Sequence, residues 1–497
     1  MNSRISYIYI SFNEPTYLKI SHKIILGEVR KGKVVEVIDS SLTIKNQDYV
    51  NNKVSKFLRV KTVKNRFDKW IKDMNIRHIR IDIPLKAKAS SYYEQIWDEI
   101  IHSNGFQEHL DSSLITFFSD TKPERNRGYQ TKRVELIAEC RMLFFALIPI
   151  FSEKQTSPTI YVPNGRFIDQ WFFITFVNRL LEGNAEFVYF EKGFLSDTFY
   201  LGGTSLLDRV KLQKAYREIR EVPETCMELA QAWFLTRFDR KLGHEFSILW
   251  NDSEKSIKEQ VEGCKPYVVI FTSSEDEFAK LGQDWMPSEW DTQWEAYREV
   301  IRKFLTLEVN VVLRMHPNLL NKSVYERRDV NKIVCELKKL YPKLIVHTAS
   351  SPVNSYSLIL HSEMVFVWGS TIGLEAVMLG KPTVVLNASE WDQSIDVRQV
   401  LSSGHLTDLP PQLPSPDSLT ALKYVAKRLS LDLPLLEEDI NLFIEPTTFR
   451  YRLARNVGFR GSINLKVIAK TFLEVILRPN VFGWYRKLSL KLKETHG

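Results

Sequence analysis

Short apolar runs alternate with amphipathic stretches along most of the chain. The runs are rich in β-branched and aromatic residues and end at glycine, proline or polar clusters, a pattern typical of buried strands. The stretches between them carry apolar residues three and four positions apart, which predicts helices. Strands are predicted over residues 5–10, 33–38, 78–83, 159–162, 185–190, 267–271, 310–314, 343–347, 364–368 and 383–386.

The alternation is most regular in the second half of the chain, where it predicts a doubly wound α/β domain with a parallel sheet. A domain boundary is predicted near 255–265, where charged residues give way to Lys265-Pro266. Several prolines and short helical segments over 409–460 predict that the chain crosses back towards the first domain.

Residues 363–388 contain the clearest strand–turn–helix–strand unit. Gly369 ends a buried apolar run, and Ser370 or Thr371 can cap the helix that follows. Backbone N–H groups in such a turn approach an anion closely, and a helix N-terminus carries about half a positive charge. Glu375, one helical turn further on, then faces the same crevice and can accept from the two hydroxyls of a ribose. The alternative is an ordinary capped turn with Glu375 in solvent.

His316 and Pro317 follow the predicted strand 310–314. Pro317 fixes the backbone and keeps His316 extended, so that its ring can project into the crevice at the carboxyl edge. An imidazole with a pKa near 6.5 can meet a phosphate as a hydrogen-bonding cation or hand over a proton. Arg314, on the same strand face, either adds a second positive charge or forms a structural salt bridge. Taken alone, His316-Pro317 also fits a loop histidine beside a turn proline.

Ser273 and Ser274 close the first strand of this half and can donate hydrogen bonds to a phosphate or a base. The acidic run that follows them fits a helix start, where carboxylates suit the helix dipole.

Two predicted strands of the first half also end in polar loops. Asn164 and Arg166 follow one of them, and Glu191 ends the next. Ligands of open α/β sheets bind at this edge. Arg166 can pair with an acidic acceptor group, and Glu191 can deprotonate an acceptor hydroxyl if the reaction inverts configuration. A helix-capping Asn164 and a solvated Glu191 are the alternatives.

The unit from Gly369 to Glu375, continued by Gly380-Lys381-Pro382, resembles the nucleotide-binding half of GT-B glycosyltransferases. It is most similar to those that assemble bacterial capsule and other surface polysaccharides, including the Kdo- and sialyl-transferring groups. CDP-glycerol polymerases and UDP-sugar 2-epimerases use a similar unit. His316-Pro317 resembles the motif with which surface-polysaccharide transferases hold the nucleotide phosphate, and Asn164-Gly165-Arg166 resembles a loop of capsule-type transferases. The resemblance covers about residues 155–390.

The resemblance implies an α/β protein of the GT-B fold, with two Rossmann-like domains facing across a cleft and a basic helical C-terminal tail. The expected domains are 1–260, which binds the acceptor, 261–445, which binds the nucleotide-sugar, and 446–497, a crossover and basic amphipathic tail. His316 and Glu191 are the expected catalytic residues, and Asn164 and Arg166 the acceptor contacts. The nucleotide is expected at Ser273, Ser274, Arg314, His316, Pro317, Gly369, Ser370, Thr371 and Glu375.

The implied activity is transfer of a sugar from a nucleotide-activated donor, with a CMP-linked acidic sugar favoured, to a surface-polysaccharide or glycolipid acceptor. No Asp-x-Asp pair occurs in the sequence. Metal-dependent glycosyltransferases of the other main fold use such a pair to hold a divalent ion on the diphosphate. Its absence favours stabilisation of the phosphate by a helix dipole, backbone N–H groups and cationic side chains. No metal site and no cofactor besides the donor substrate are therefore expected. HExxH, GxSxG and P-loop patterns are missing too.

Three other functions stay open at this point. A CDP-alcohol phosphotransferase shares the two-domain frame. A sugar-nucleotide 2-epimerase would turn over donor without an acceptor. A non-catalytic scaffold of a polysaccharide assembly complex belongs to a different class, because it would bind partners or membranes without nucleotide affinity.

The distribution of charge bears on the partners. Residues 450–497 carry eleven Lys and Arg against two Glu, which gives +9, whereas the whole chain carries +8, so the other residues sum to −1. This concentration of charge argues against nucleic-acid binding, which favours basic residues along a groove. Interleaved aromatic and basic residues over 461–497 suit a segment on an anionic membrane surface, and a basic packing helix with a solvated face is the alternative.

The cellular compartment of the protein is predicted from its cysteines and from its N-terminus. Four scattered cysteines indicate a reducing compartment with buried thiols, and the N-terminus lacks a signal-peptide pattern. A cytoplasmic protein, at the inner face of the plasma membrane if the tail binds lipid, is therefore expected.

Overall fold

The computed structural model describes residues 5–12, 14–40, 54–81, 89–152, 157–195, 198–238, 266–277, 279–280 and 282–435. The described residues divide into two compact units. Unit 1 contains the described residues of Met1–Leu110, Thr131–Leu207 and Leu431–Gly497, and unit 2 contains those of Asp111–Gln130 and Asp208–Ser430. The predicted tail 446–497 and the predicted boundary over 255–265 lie outside the described residues.

Unit 1 is built on a seven-stranded sheet in the order β13-β6-β5-β4-β1-β2-β3. The strands from β3 to β5 are parallel, whereas β6 pairs antiparallel with β5, and β13 pairs antiparallel with β6 at the edge of the sheet. Their bounds are β1 Ile5–Ile10, β2 Val34–Asp39, β3 Arg77–Arg80, β4 Thr159–Pro163, β5 Glu186–Lys192, β6 Thr198–Gly202 and β13 Asp432–Pro434.

The helices of the first part of the chain are α1 Pro15–Arg30, α2 Val54–Asp73, α3 Ser91–Ile101, α4 Asn104–Phe118, α5 Tyr129–Phe151 and α6 Ile168–Leu180. The core of unit 1 forms where α1 and α2 bury apolar residues against the sheet, among them Ile8, Leu18, Val37 and Phe67.

Unit 2 has a six-stranded, wholly parallel sheet in the order β12-β11-β10-β7-β8-β9. Its strands are β7 Tyr267–Phe271, β8 Asn310–Arg314, β9 Ile345–His347, β10 Met364–Val367, β11 Thr383–Val385 and β12 Arg398–Gln399. Its helices are α7 Arg209–Glu218, α8 Glu224–Phe238, α9 Gln293–Thr306, α10 Val324–Leu340, α11 Ser355–Leu360, α12 Thr371–Met378, α13 Ser403–Thr407 and α14 Ser418–Ser430.

Local sequence explains why these helices form. The Thr292 side chain caps α9 by accepting from the Glu295 N–H, and Ser323 caps α10 in the same way. Along α9, Tyr297, Ile301 and Phe304 follow the three- and four-residue spacing of one helix face. That face is fully buried and packs with the sheet in the core of unit 2.

The predicted fold class is confirmed, because each unit is a Rossmann-like α/β unit with a mainly parallel sheet. The predicted return of the chain to the first domain is confirmed by β13, which pairs with β6 in the sheet of unit 1. A cleft between the two domains stays a prediction.

The observed units differ from the predicted domains 1–260 and 261–445. Residues 208–238 belong to unit 2, although they were predicted to end the first domain, and residues 111–130 join unit 2 as well. Residues 208–238 contain two helices, α7 and α8, and the interruption between them contains Pro223. The thiols also differ in part from expectation, since Cys140 and Cys226 are buried but Cys335 is exposed.

Candidate functional site

The strand order of unit 2 reverses between β7 and β10. From β7 the chain adds β8 and β9 on one side, and then returns to place β10 and β11 on the other. In open α/β sheets this switch point, at the carboxyl ends of the strands, is where ligands bind. The residues that follow β7 and the 369–371 turn after β10 flank it, and the residues after β8 lie one strand away.

The 369–371 turn depends on its glycine. Gly369 has φ of +140°, and a Cβ there would lie 2.4 Å from the Ala388 carbonyl oxygen. Helix α12 begins at Thr371, and the Ser370 side chain makes no capping hydrogen bond to it. The first N–H groups of α12 therefore have no partner from that side chain, which suits an anion at the helix N-terminus.

His316 is tied to the loop after β7 and is uncharged. Its backbone N–H donates to Thr272 Oγ1 at 2.8 Å, and its Nδ1 accepts from the Asn318 N–H at 3.1 Å. Burial, with the positive charges of Lys322 and Arg314, lowers its pKa to about 4. Near neutral pH the ring therefore carries its single proton on Nε2. His316 is therefore a neutral hydrogen-bond donor near neutral pH, and not the hydrogen-bonding cation that was predicted from the sequence.

The two serines after β7 line a small cavity of about 30 Å³ together with His316, Glu275 and Glu326. Ser273 is buried, and its Oγ has no hydrogen-bond partner among the described residues. Ser274 Oγ accepts from Asn318 Nδ2 at 2.9 Å. None of residues 369–371 is among the lining of this cavity. The sheet thus brings His316 and the turn to one edge without joining them in that cavity.

Arg314 points into the protein. Its side chain is 1 % exposed, and its guanidinium donates to the carbonyls of Thr348 and Ser351. Burial lowers its pKa to about 10, and the salt bridges among the described residues do not include it. It holds the loop after β9, and its predicted phosphate contact stays a prediction.

Glu375 is also engaged inside the fold. Its carboxylate is 2 % exposed. One oxygen accepts from Arg237 Nε at 2.5 Å and the other from the Tyr356 hydroxyl at 2.8 Å. The alternative of a solvated Glu375 is therefore wrong, and the predicted ribose contact stays a prediction with an internal ion pair in competition.

Unit 1 has a switch point of its own, between β1 and β4. Gln170 bridges it, because its Oε1 accepts from the Gly165 N–H after β4 and its Nε2 donates to Ser11 Oγ after β1. The loop that contains Asn164 and Arg166 thus lies at this switch point. No pattern in the sequence indicates this role of Gln170.

Asn164 and Glu191 are brought together at this edge. Asn164 Nδ2 donates to Glu191 Oε2, while Asn164 Oδ1 accepts from the Arg166 N–H at 2.9 Å. Glu191 Oε1 accepts from the Tyr17 hydroxyl and from the Lys192 N–H. No pattern in the sequence indicates Tyr17 as a partner of Glu191, since Tyr17 lies in α1, far from Glu191 in the chain. Burial and the Glu191 charge raise the Tyr17 pKa, so it donates.

The Arg166 side chain lies on an aromatic ring, whereas Asn164 and Glu191 contact each other. Its guanidinium lies over the Phe167 ring, 5.7 Å from the centroid. Its carbonyl accepts from His109 Nδ1 at 2.8 Å. Its predicted pairing with an acidic acceptor stays a prediction.

Residues 111–130 contribute to unit 2. Arg125 binds Asp120 at 2.7 Å and also pairs with Glu326 and Asp329 of α10. Ser119 and Thr121 line the same small cavity as His316. Only the contacts between these distant segments reveal this role.

One metal-like group occurs among the described residues: Asp39, Asp68 and His78 of unit 1. The Lys64 ammonium binds both carboxylates, at 2.5 Å each, and His78 Nε2 lies 2.9 Å from Asp39. A lysine already supplies the positive charge there, so the group fits a structural ion-pair network better than a metal site.

Residues 256–393 match the model of a family described as "Capsule polysaccharide biosynthesis protein". The matched stretch contains Ser273, His316 and the 369–371 turn, which confirms the sequence resemblance for this part of the chain. No curated protein sequence matches the chain. No helix in the described part of the chain is both long and apolar enough to span a membrane.

Among solved structures, the chain is similar to the β-Kdo 2,7 transferase of KpsC from Thermosulfurimonas dismutans. The identity is 15 %, the match covers 60 % of this chain and 88 % of that one, and the TM-score is 0.35. It is also similar to the UDP-GlcNAc 2-epimerase of Methanocaldococcus jannaschii, solved in complex with UDP-GlcNAc and UDP. There the identity is 10 %, the coverage is 86 % and 98 %, and the TM-score is 0.31.

Proposed function

We propose that this protein is a glycosyltransferase of surface-polysaccharide synthesis. It moves a sugar from a nucleotide-activated donor to a polysaccharide or glycolipid acceptor. The observation that carries the proposal is the coincidence, within unit 2, of the family match over 256–393 with a glycine-dependent turn at the switch point of a parallel sheet.

On the donor side, the diphosphate or phosphate binds at the 369–371 turn. Uncapped N–H groups of α12 and its dipole face the anion, and they cost no reorganisation when charge develops on the departing phosphate. His316 adds a neutral Nε2–H donor rather than a positive charge. The donor favoured is a CMP-linked acidic sugar, as the resemblance implies.

On the acceptor side, Glu191 acts as the general base. The acceptor oxygen bonds to the anomeric carbon, the bond from that carbon to the phosphate oxygen breaks, and the nucleotide leaves with the electron pair. The hydroxyl proton passes to Glu191. Tyr17 and Asn164 hold the carboxylate through one oxygen each, and a carboxylate has lone pairs left for the acceptor hydroxyl.

Calorimetry with the full chain tests the donor assignment. CMP, CDP, UDP and GDP and the sugars linked to them are titrated into the protein, and binding of the CMP series in preference to the others is expected. Transfer to a polysaccharide acceptor is then followed with the bound donor. Activity that survives EDTA supports the metal-independent mechanism.

The same titrations separate the other functions. Preference for CDP-alcohols identifies a phosphotransferase, and turnover of donor without acceptor identifies an epimerase. A protein that binds no nucleotide at all is a scaffold, and this result would refute the proposal.

A further inference from the structure

A groove runs along the outward face of α6 in unit 1. Trp171, Ile174, Thr175 and Asn178 recur at three- and four-residue spacing and form one stripe of this helix. The opposite face is buried against the rest of unit 1. Together with α3 and the first turn of α4, the stripe encloses a space of about 460 Å³, which is within the range of ordinary ligand sites. This space is called the α6 groove.

The α6 groove begins beside the 164–166 loop. Ile174 Cδ1 lies 3.2 Å from the position that a Cβ on Gly165 would take. His109 donates to the Arg166 carbonyl at 2.8 Å, and its ring stacks on Trp171 with centroids 5.3 Å apart. Because a helix rises 1.5 Å per residue, the stripe extends about 10 Å from this loop.

The lining combines an aromatic ring with planar polar groups. Trp171 is half-buried, and a side chain at Gly105 would collide with its ring, since a Cβ there would lie 2.7 Å from Cζ2. At the far end, Arg179 pairs with Glu99 at 2.6 Å, with both side chains largely exposed. Asn178 is exposed beside them.

This chemistry fits a sugar ring better than an acyl chain. The C–H face of a pyranose packs on an indole as other apolar groups do, and its hydroxyls both donate and accept, as amides, carboxylates and guanidinium groups require. A hydrocarbon chain in the same groove would offer no hydrogen bond to the Asn178 side chain or to the Arg179–Glu99 pair.

We propose that the α6 groove binds a segment of a glycan chain next to the sugar that presents its hydroxyl at Glu191. The identification of this glycan as the acceptor rests on the proposed function. Carbohydrate binding itself rests only on the position and lining of the groove.

The test is a ¹⁹F NMR titration of the full chain labelled with 5-fluorotryptophan and free of nucleotide. The Trp171 resonance is the one that disappears in Trp171→Phe. Maltohexaose, chitohexaose and α2,8-linked hexasialic acid are the three glycan probes, and decanoate is the lipid probe. At least one glycan should shift the Trp171 resonance to saturation.

Two variants locate the binding. Asn178→Ala and Gly105→Ala should each weaken the binding of that glycan at least tenfold. The matched control is Asn331→Ala, which changes an exposed helical asparagine of unit 2 and should leave the titration unchanged. Circular dichroism reports whether Gly105→Ala folds. If it does not, Asn178→Ala alone tests the groove, and this variant should fold because alanine has a high helix propensity at an exposed position.

A resonance that no glycan shifts, or that decanoate alone shifts, overturns the proposal. So does a shift that both variants retain. Because the titration contains no donor, this failure is separate from that of the proposed function, which depends on nucleotide binding and transfer.

Discussion

The switch points of the two units offer different chemistry. In unit 2 the charged side chains near the switch point are used by the fold: Glu375 is paired with Arg237, and Arg314 with backbone carbonyls. The uncharged groups near this switch point are the backbone of the 369–371 turn, serine hydroxyls and a neutral His316. In unit 1, by contrast, a partly exposed carboxylate, Glu191, is held in place by Tyr17 and Asn164.

This difference matches the two halves of a transfer reaction. A departing phosphate needs preorganised hydrogen-bond donors, and backbone N–H groups supply them without giving up a proton. An attacking hydroxyl needs a base, and only an accessible titratable group provides one. The contrast also indicates that substitutions in unit 1 should lower turnover, whereas those in unit 2 should lower nucleotide affinity or stability.

The largest effect is expected at Glu191. Replacement by Gln keeps an acceptor oxygen but removes the base, so kcat should fall by about 10²–10⁴-fold, the usual contribution of general-base catalysis. Nucleotide affinity measured by calorimetry should stay the same. Glu186→Gln, on the same strand β5, is the matched control and should retain activity. A Glu191→Gln protein with normal kcat would remove this residue from the mechanism.

Arg237→Ala should produce the largest loss of stability. It leaves the Glu375 carboxylate buried with Tyr356 as its remaining described partner, and removing one member of a buried pair costs about 3–5 kcal/mol. Urea unfolding followed by circular dichroism measures this. Arg179→Ala breaks an exposed pair and should cost less than about 1 kcal/mol. Equal losses in the two variants would contradict the assignment of Glu375 to an internal ion pair.

His316 should act without titrating near neutral pH. Because folding lowers its pKa to about 4, the folded ring stays neutral as pH falls from 8 to 5.5, while the unfolded ring gains a proton near 6.5. Stability should therefore decrease as pH falls below 6.5. The ratio of nucleotide affinities between wild type and His316→Gln should stay constant over this range, and the ratio cancels the titration of the phosphate itself.

Removing the His316 ring should weaken nucleotide binding about 10–100-fold in His316→Ala, and less in His316→Gln, whose amide still donates. If the ratio of wild-type to His316→Gln affinity rises tenfold as the pH falls through 6.5, the imidazole binds in its charged form, as predicted from the sequence.

The smallest effect is expected for Tyr17→Phe. Its hydroxyl donates to Glu191 Oε1 and helps to hold the carboxylate in place, so its loss should lower kcat about tenfold and leave nucleotide affinity unchanged. Tyr92→Phe, at an exposed tyrosine, is the matched control and should leave both quantities unchanged. A Tyr17→Phe protein with normal kcat would mean that this hydroxyl does not position Glu191.

Features set by local pattern could be predicted from the sequence. Strands β1, β7 and β8 begin and end where their apolar runs do. Because parallel strands share a carboxyl edge, the residues that follow them were expected near one another, and the structure places the loops after β7, β8 and β10 at one edge. The contact of Asn164 with Glu191 follows from the same rule, since β4 and β5 are neighbours.

Features that depend on distant contacts could not be predicted. Glu375 and Arg237 are 138 residues apart, and Glu191 and Tyr17 are 174 apart, so no local spacing indicates either pair. The lowered pKa of His316 depends on burial in the folded chain. The inclusion of residues 111–130 in unit 2 likewise depends on contacts of Arg125 with α10, which no hydrophobic period encodes.

The most direct test is the affinity of Gly369→Ala for the nucleotide that binds best. A Cβ at this position would lie 2.4 Å from the Ala388 oxygen in a backbone conformation that alanine rarely adopts. The turn must therefore move away from its anion-binding geometry. Gly27→Ala, a helix glycine with open space around it, is the control. Binding should weaken by about 100-fold or more in the first variant, as expected when several preorganised donors are lost together, and not in the second. Wild-type affinity in Gly369→Ala would contradict a nucleotide site at this turn.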